Sequence, residues 1–369
     1  MTHSERIARF ARISTALALT DDQQLARLVD AAEPLGSGIG GNTLAMELEG
    51  CKVFAKRVRL TDLERQAENR QSTRNLFQLP ALCQRNVGSV GFGVWRELAA
   101  HAMTTGWVLS QRLESFPLMY HWRVLEAEAT TGPTPLSEEL RDIDGMVSYW
   151  GGSEPMRRRL ETLAGATASV LIFLEHLPWN LSTWLAQQLA SGPEAMASAC
   201  TLVERGLTVD IATMNSLGLM HGDAHFDNIL TDGHRLYFAD LGLATSERFA
   251  LAPDELHYLH HHASLDRAYV LTRWVNWLVK AYAPAAIGVQ ERMALVSSIA
   301  RGRAVHELIP ESPSCVATII HRHAPIASLV NDFYVKLHGE SRFAPYPRDD
   351  IEAAVSAAPE WHASVGRPE

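Results

Sequence analysis

Cysteine is scarce: the 369 residues hold four, Cys51, Cys83, Cys200 and Cys315, and none forms a Cys-x-x-Cys pair. That excludes a disulfide-built scaffold, offers no zinc-site spacing, and suits a reducing compartment, so a cytoplasmic setting is expected. Long apolar runs are missing too, so no membrane partner is expected. Arg6, Arg9 and Arg12 are followed by neither the apolar core nor the small-residue cleavage site of a signal peptide. Positive charge is in short supply: 33 Lys and Arg against 42 Asp and Glu leave a formal net charge of -9. An acidic chain is a poor default partner for nucleic acid and suits neutral or cationic substrates better. The rest is ordinary globular composition, 47% hydrophobic and 20% charged, long enough for at least two subdomains.

The first half is strand-rich. Asp21 to Ala32 carries Leu25, Leu28 and Val29 at helical spacing and stops at Glu33-Pro34. A glycine-rich turn follows, with Gly36, Gly38 and Gly41, and feeds two apolar runs, Thr43 to Leu48 and Lys52 to Val58, separated by Glu49-Gly50. This pattern predicts a β-hairpin. A polar, helix-compatible stretch fills 61–84, a helix is predicted from Val94 to about Val108, and strands from Phe116 to Leu125 and from Ala168 to Phe173. Residues 127–168, with Gly132-Pro133-Thr134-Pro135, Gly151-Gly152 and Arg157-Arg158-Arg159, read as an inserted loop-and-helix segment at the surface. Beyond Leu181 the spacing is mainly helical, with Trp274, Trp277 and Leu278 as an apolar stripe. Strands first and helices second predict an α+β protein with a small sheet lobe and a larger helical lobe.

The strongest chemical signal is His221-Gly222-Asp223-Ala224-His225-Phe226-Asp227-Asn228, followed twelve residues later by Asp240 in Asp240-Leu241-Gly242. An Asp, an Asn five residues on and a second Asp just past a short strand can bring one carboxylate to a hydroxyl nucleophile and two oxygen ligands to Mg²⁺. Upstream, the glycine turn lets backbone amides approach phosphates closely. Here the glycines open a hairpin instead of a helix, unlike a dinucleotide-binding fingerprint, and the hairpin leads to Val53-Phe54-Ala55-Lys56. Lys56 is a point charge suited to phosphate, and Phe54 shares its strand face and could cover a purine ring.

Together these segments resemble the protein-kinase-like superfamily, in the form typical of aminoglycoside phosphotransferases and choline-kinase-like enzymes. The resemblance implies a two-lobed protein-kinase-like fold, an ATP- and Mg²⁺-dependent phosphotransferase, Asp223 as catalytic base with His221 supporting its loop, and Asn228 and Asp240 on the metal. It implies that Lys56 meets the α- and β-phosphates and pairs with a helical glutamate, for which Glu97 is favoured over Glu64 and Glu68. It places a hinge at Leu174-Glu175-His176-Leu177, where the Glu175 carbonyl and Leu177 amide would read the adenine edge and leave the Glu175 side chain free. The implied division is a nucleotide-binding lobe over 1–174 with inserts at about 61–93 and 127–168, a hinge at 175–178, and a catalytic and substrate lobe over 179–369.

His225 stands where protein kinases usually carry Lys, and Gly222 replaces the Arg that answers a phosphorylated activation loop. The expected acceptor is therefore a small molecule bearing a hydroxyl, an antibiotic or metabolite. Asp254, Glu255 and Asp266 either line a cleft for a cationic acceptor or are solvated surface charges. A protein serine/threonine kinase is the nearest alternative, and a nucleotide-binding pseudokinase a further one. His257, His260, His261 and His262 lack the carboxylate or thiolate spacing of a familiar metal site and are expected to be a surface or core cluster. Nothing in the sequence fixes an oligomeric state.

Overall fold

The computed structural model describes residues 1–38, 40–85, 88–126, 136–283 and 287–357. Ile39 of the glycine turn and the stretch 127–135, with the Gly-Pro-Thr-Pro sequence of the second insert, lie outside the described residues. The chain divides into two compact units, Met1–Leu177 with Asp240–Leu256, and Pro178–Ala239 with His257–Glu369.

The first unit is built on a five-stranded antiparallel sheet. Its strands are β1 (Glu33–Gly38), β2 (Gly41–Leu48), β3 (Cys51–Leu60), β4 (Met119–Glu126) and β5 (Ala168–Glu175), in the order β1-β2-β3-β5-β4. Alternation along β3 puts Phe54, Lys56, Val58 and Leu60 on one face, in register with Leu174, Ile172, Val170 and Ala168 of β5. The helix Val94–Leu109 covers this face with Val94, Trp95 and Leu98. Lys56 therefore stands in an apolar row beneath a helix, which is why it is buried.

β5 is buried at every position, on both faces, and so carries an apolar run from Val170 to Leu174. On the other side lies the helix His3–Leu19, whose start is fixed by a Thr2–Glu5 capping box and whose Arg6 reaches Glu175. The arginines that raised the question of a signal peptide thus belong to a helix of this unit.

Two expectations change here. Glu33–Gly38 is a strand, so the glycine turn joins β1 to β2, and β3 follows a second turn at Glu49–Gly50. β1 is exposed throughout and has a bulge at Pro34/Gly36, so no apolar alternation marks it. The insert read at 127–168 is not merely a surface feature either. The 61–84 stretch forms only the short turns Asp62–Arg65, Ala67–Asn69 and Ala81–Gln84. With the helices between Glu138 and Ala164 it closes around a core of its own: Phe77, Leu79 and Phe92 pack with Leu140, Trp150 and Leu160. The Trp150 indole donates to Gly88 O at 3.0 Å, and Arg159 pairs with Glu64 at 3.1 Å, both side chains buried.

The second unit is mainly helical. Leu265–Tyr282 packs along Ser314–Gly339, with Trp274 fully buried between elements, as its place in an apolar stripe predicts. A small antiparallel sheet of Trp179–Asn180, Ile229–Thr231 and Leu236–Phe238 presents the loops of interest. Sheet first and helices second is the expected α+β class. The histidine cluster is an aromatic stack: the His262 ring lies 3.9 Å from Tyr258 and 4.7 Å from Tyr346. No helix among the described residues is long and apolar enough to cross a membrane.

Candidate active site

In the first unit the Lys56 ammonium donates to Glu97 Oε1 at 2.6 Å and to Asp240 Oδ1 at 2.8 Å. Lys56 and Glu97 are buried, whereas the Asp240 side chain is 46% exposed, so this is the carboxylate an incoming ligand meets. Burial alone would depress the lysine, but the charges and hydrogen bonds of Asp240 and Glu97 outweigh it and hold the ammonium above the ordinary lysine value. Burial also pushes Glu97 upward, against the pull of Lys56. Asp240 sits in the left-handed region, at φ 56 and ψ 76, and its Oδ1 accepts the Gly242 amide at 3.3 Å. A non-glycine residue held there is strained, and such strain clusters at functional positions.

The competing glutamates are accounted for. Glu64 caps the Val94 amide, closes a capping box with Thr61 and binds Arg159; Glu68 is exposed. Phe54 is half-buried against the apolar face that also holds Leu174 and Met119. The glycines of the turn differ in what they demand. Gly41 has φ +122, and a Cβ there would lie 2.5 Å from Arg57 O, so only glycine fits. A Cβ at Gly36 would touch Thr43 at 3.5 Å, and one at Gly38 would meet nothing. Gly40 lies close to the lysine, its Cβ position 3.5 Å from Lys56 Nζ.

Expectations for three acidic residues fail, two of them in the first unit. The Glu175 side chain is not free: it is buried, bound to Arg6 through Nε at 3.0 Å and Nη2 at 2.6 Å, and it accepts the Leu118 amide at 3.2 Å. Glu255 neither lines a cleft nor meets solvent: it is fully buried, 2.7 Å from Arg96 of the Val94–Leu109 helix. Asp254 is exposed, and Leu177 is half-buried.

In the second unit the loop from His221 to Asn228 is held from several sides. His221 is fully buried; its Nε2 lies 3.0 Å from Ala239 O and its Nδ1 3.3 Å from the Asp223 amide. Those partners require the neutral ring with the proton on Nε2, which donates to the carbonyl while Nδ1 accepts. Gly222 takes φ +79 to make the turn. The Asn228 amide nitrogen donates to Asp223 O at 3.0 Å and Oδ2 at 3.3 Å, fixing Asp223 and turning the Asn228 oxygen into the atom able to take a cation. His225 Nε2 is 3.8 Å from Asp223 Oδ2.

Asp266, read in the sequence as a cleft or surface charge, is neither. It is buried, and its carboxylate accepts the amides of His221 at 2.7 Å and Gly222 at 2.9 Å and the Asn215 side chain at 2.8 Å. Sequence reasoning named the residue but missed its task of holding the loop before Asp223. An acid in the first turn of an apolar helix was its only local mark.

Taken separately, Asp240 in the first unit and Asn228 in the second each carry a hard oxygen, the kind of donor Mg²⁺ takes. Among the described residues no group of three or more His, Cys, Asp or Glu side chains could hold a metal.

No protein-family model matches the chain, and no curated protein matches its sequence. Solved structures do match. One is WaaP in complex with acyl carrier protein, 12% identical, covering 83% of this chain and 93% of that chain at a TM-score of 0.35. So distant a likeness carries neither activity nor substrate to this chain, and function rests on the residues themselves.

Proposed function

We propose that this chain is an ATP- and Mg²⁺-dependent phosphotransferase that moves the γ-phosphoryl group to a hydroxyl of a small molecule, an antibiotic or a metabolite, in the cytoplasm. The observation that supports it most is the buried Lys56 ammonium bound by Glu97 and by a strained, half-exposed Asp240. Lys56 neutralises phosphate charge, and Glu97 keeps it extended and protonated. The amides around Gly36, Gly38 and Gly41 cover the phosphates, while Phe54, the Glu175 carbonyl and the Leu177 amide hold the base. Asn228 and Asp240 would hold Mg²⁺, which when bound supplies charge neutralisation at the phosphates. Asp223 accepts the proton of the acceptor hydroxyl, held in place by Asn228. Catalysis is then mostly positioning and electrostatics.

A cationic acceptor has less support than the sequence offers, because Glu255 and Asp266 are spent on buried partners. A protein kinase stays the alternative on the same residues. The deciding experiment is a phosphate-transfer screen read by mass spectrometry over aminoglycosides, other antibiotics, amino alcohols, sugars and protein substrates. Transfer to a small-molecule hydroxyl is expected, with Asp223→Asn lowering turnover about 10²–10⁴-fold at nearly unchanged nucleotide affinity. Transfer only to protein serine or threonine would favour the protein-kinase reading, and Asp223→Asn within a few-fold of wild type would sink the assignment of the base.

A further inference from the structure

Cys200 and Cys315 are far apart in sequence but meet in the second unit. Cys200 lies in the helix Pro193–Arg205, and Cys315 in the first turn of Ser314–Gly339. The two helices touch, and further along they are tied through Glu204, which binds Arg322 at 2.5 Å and His323 at 3.2 Å. The two thiols are near enough to act on each other electrostatically, and both act on Tyr282. They are unequal in exposure: Cys200 is 1% exposed and Cys315 half-buried.

From this pairing we propose that Cys200 and Cys315 are a redox site, in which a hydroperoxide oxidises Cys315 and Cys200 resolves it to a reversible intrachain disulfide. In the first step the Cys315 sulfur attacks the peroxide, an S–O bond forms as the O–O bond breaks, and the departing oxygen takes the Cys315 proton and leaves as alcohol or water, giving the sulfenic acid. In the second, the Cys200 sulfur attacks that sulfur, the S–S bond forms, and hydroxyl departs with the Cys200 proton as water. Two thiols lose two electrons and the peroxide takes them. Burial foremost, with Cys315 and Glu204 beside it, pushes the Cys200 thiol up to about 12. Cys200 is thus shielded from direct oxidation and reacts through its neighbour, where proximity compensates for a weak nucleophile. Cys83, buried and likewise pushed up to about 12, has no such partner role. Cys51 is half-buried beside Arg12 and is the internal comparison for an accessible thiol without a second cysteine at hand.

The test is oxidation of the native chain by hydrogen peroxide, followed by alkylation, non-reducing digestion and mass spectrometry. The expected product is a peptide joining Cys200 to Cys315, with loss of two of the four free thiols and recovery of both by dithiothreitol. In Cys200→Ser the link should vanish and a sulfenic acid at Cys315 should be trapped by a 1,3-diketone. In Cys315→Ser, Cys200 should stay reduced. Circular dichroism of both variants shows that they are folded, and the wild-type result stands on its own if either is not. Over-oxidation of Cys315 with no crosslink, or both thiols remaining free while Cys51 oxidises, would overturn the proposal.

Discussion

Arg6 and Glu175, separated by 169 residues, form a buried two-point ion pair, and the remaining Arg6 donors go to Phe116 O at 2.8 Å and Glu114 O at 3.1 Å. The N-terminal helix is thereby fastened to the end of β5. Removing one partner of such a pair leaves the other charge buried and uncompensated, at a cost of about 3–5 kcal/mol. Arg6→Ala should lose that much in urea unfolding, with Arg6→Lys recovering only part because it cannot form the fork. A loss below about 1 kcal/mol in Arg6→Ala would show that the helix is not anchored there.

The glycines of the turn should separate sharply. Gly41→Ala forces a side chain into the positive-φ region and against Arg57 O, so the β1–β2 hairpin must shift. It should cost about 1–3 kcal/mol and raise the KM for ATP. Gly38→Ala, whose Cβ meets nothing within 4 Å, should leave both near wild type. Equal KM values for the two variants would contradict this.

Asp266 touches neither proposed substrate, yet it holds the amides that precede Asp223. Asp266→Asn weakens two charge-assisted bonds and presents a donor where acceptors are needed. Loosening the loop by a fraction of an ångström should lower kcat about 10–100-fold with little change in nucleotide affinity. Steady-state kinetics beside a nucleotide titration would check it; a change in affinity alone would assign Asp266 a different task.

Glu204 should make acid stability pH-dependent. Burial raises its carboxyl, but the His323 hydrogen bond, the charges of Arg322 and His323, and the Arg322 hydrogen bond outweigh this and place it below 4.5. A depressed acid stabilises the fold when ionised: its contribution is present above the unfolded value and is lost as pH falls through the folded one. Wild type should therefore lose more stability on acidification below about 4.5 than Glu204→Gln, read by urea unfolding at neutral and acid pH. Parallel acid profiles would remove Glu204 from this role.

Local signals were readable and distant partners were not. The strands β3 and β5 and the Val94–Leu109 helix were legible because burial on one or both faces writes itself into apolar spacing. Glu97 was the glutamate the sequence favoured for Lys56, and the structure joins the two across 41 residues. Glu175, Glu255 and Asp266 were misread for one reason: each carboxylate is bound by groups from another part of its unit, arginines for the first two and amides for the third, so composition could not distinguish a buried acid from a solvated one. β1 escaped because an exposed edge strand carries no apolar rhythm.

The shared core of the two inserts makes them an obligate pair. Phe77 and Phe92 have their cover in Leu140, Trp150 and Leu160, so deleting either segment strands the apolar surface of the other in water. A shortened form of this chain must dispense with both at once. A lineage that acquired one without the other would have carried an aggregation-prone patch beside the helix bearing Glu97.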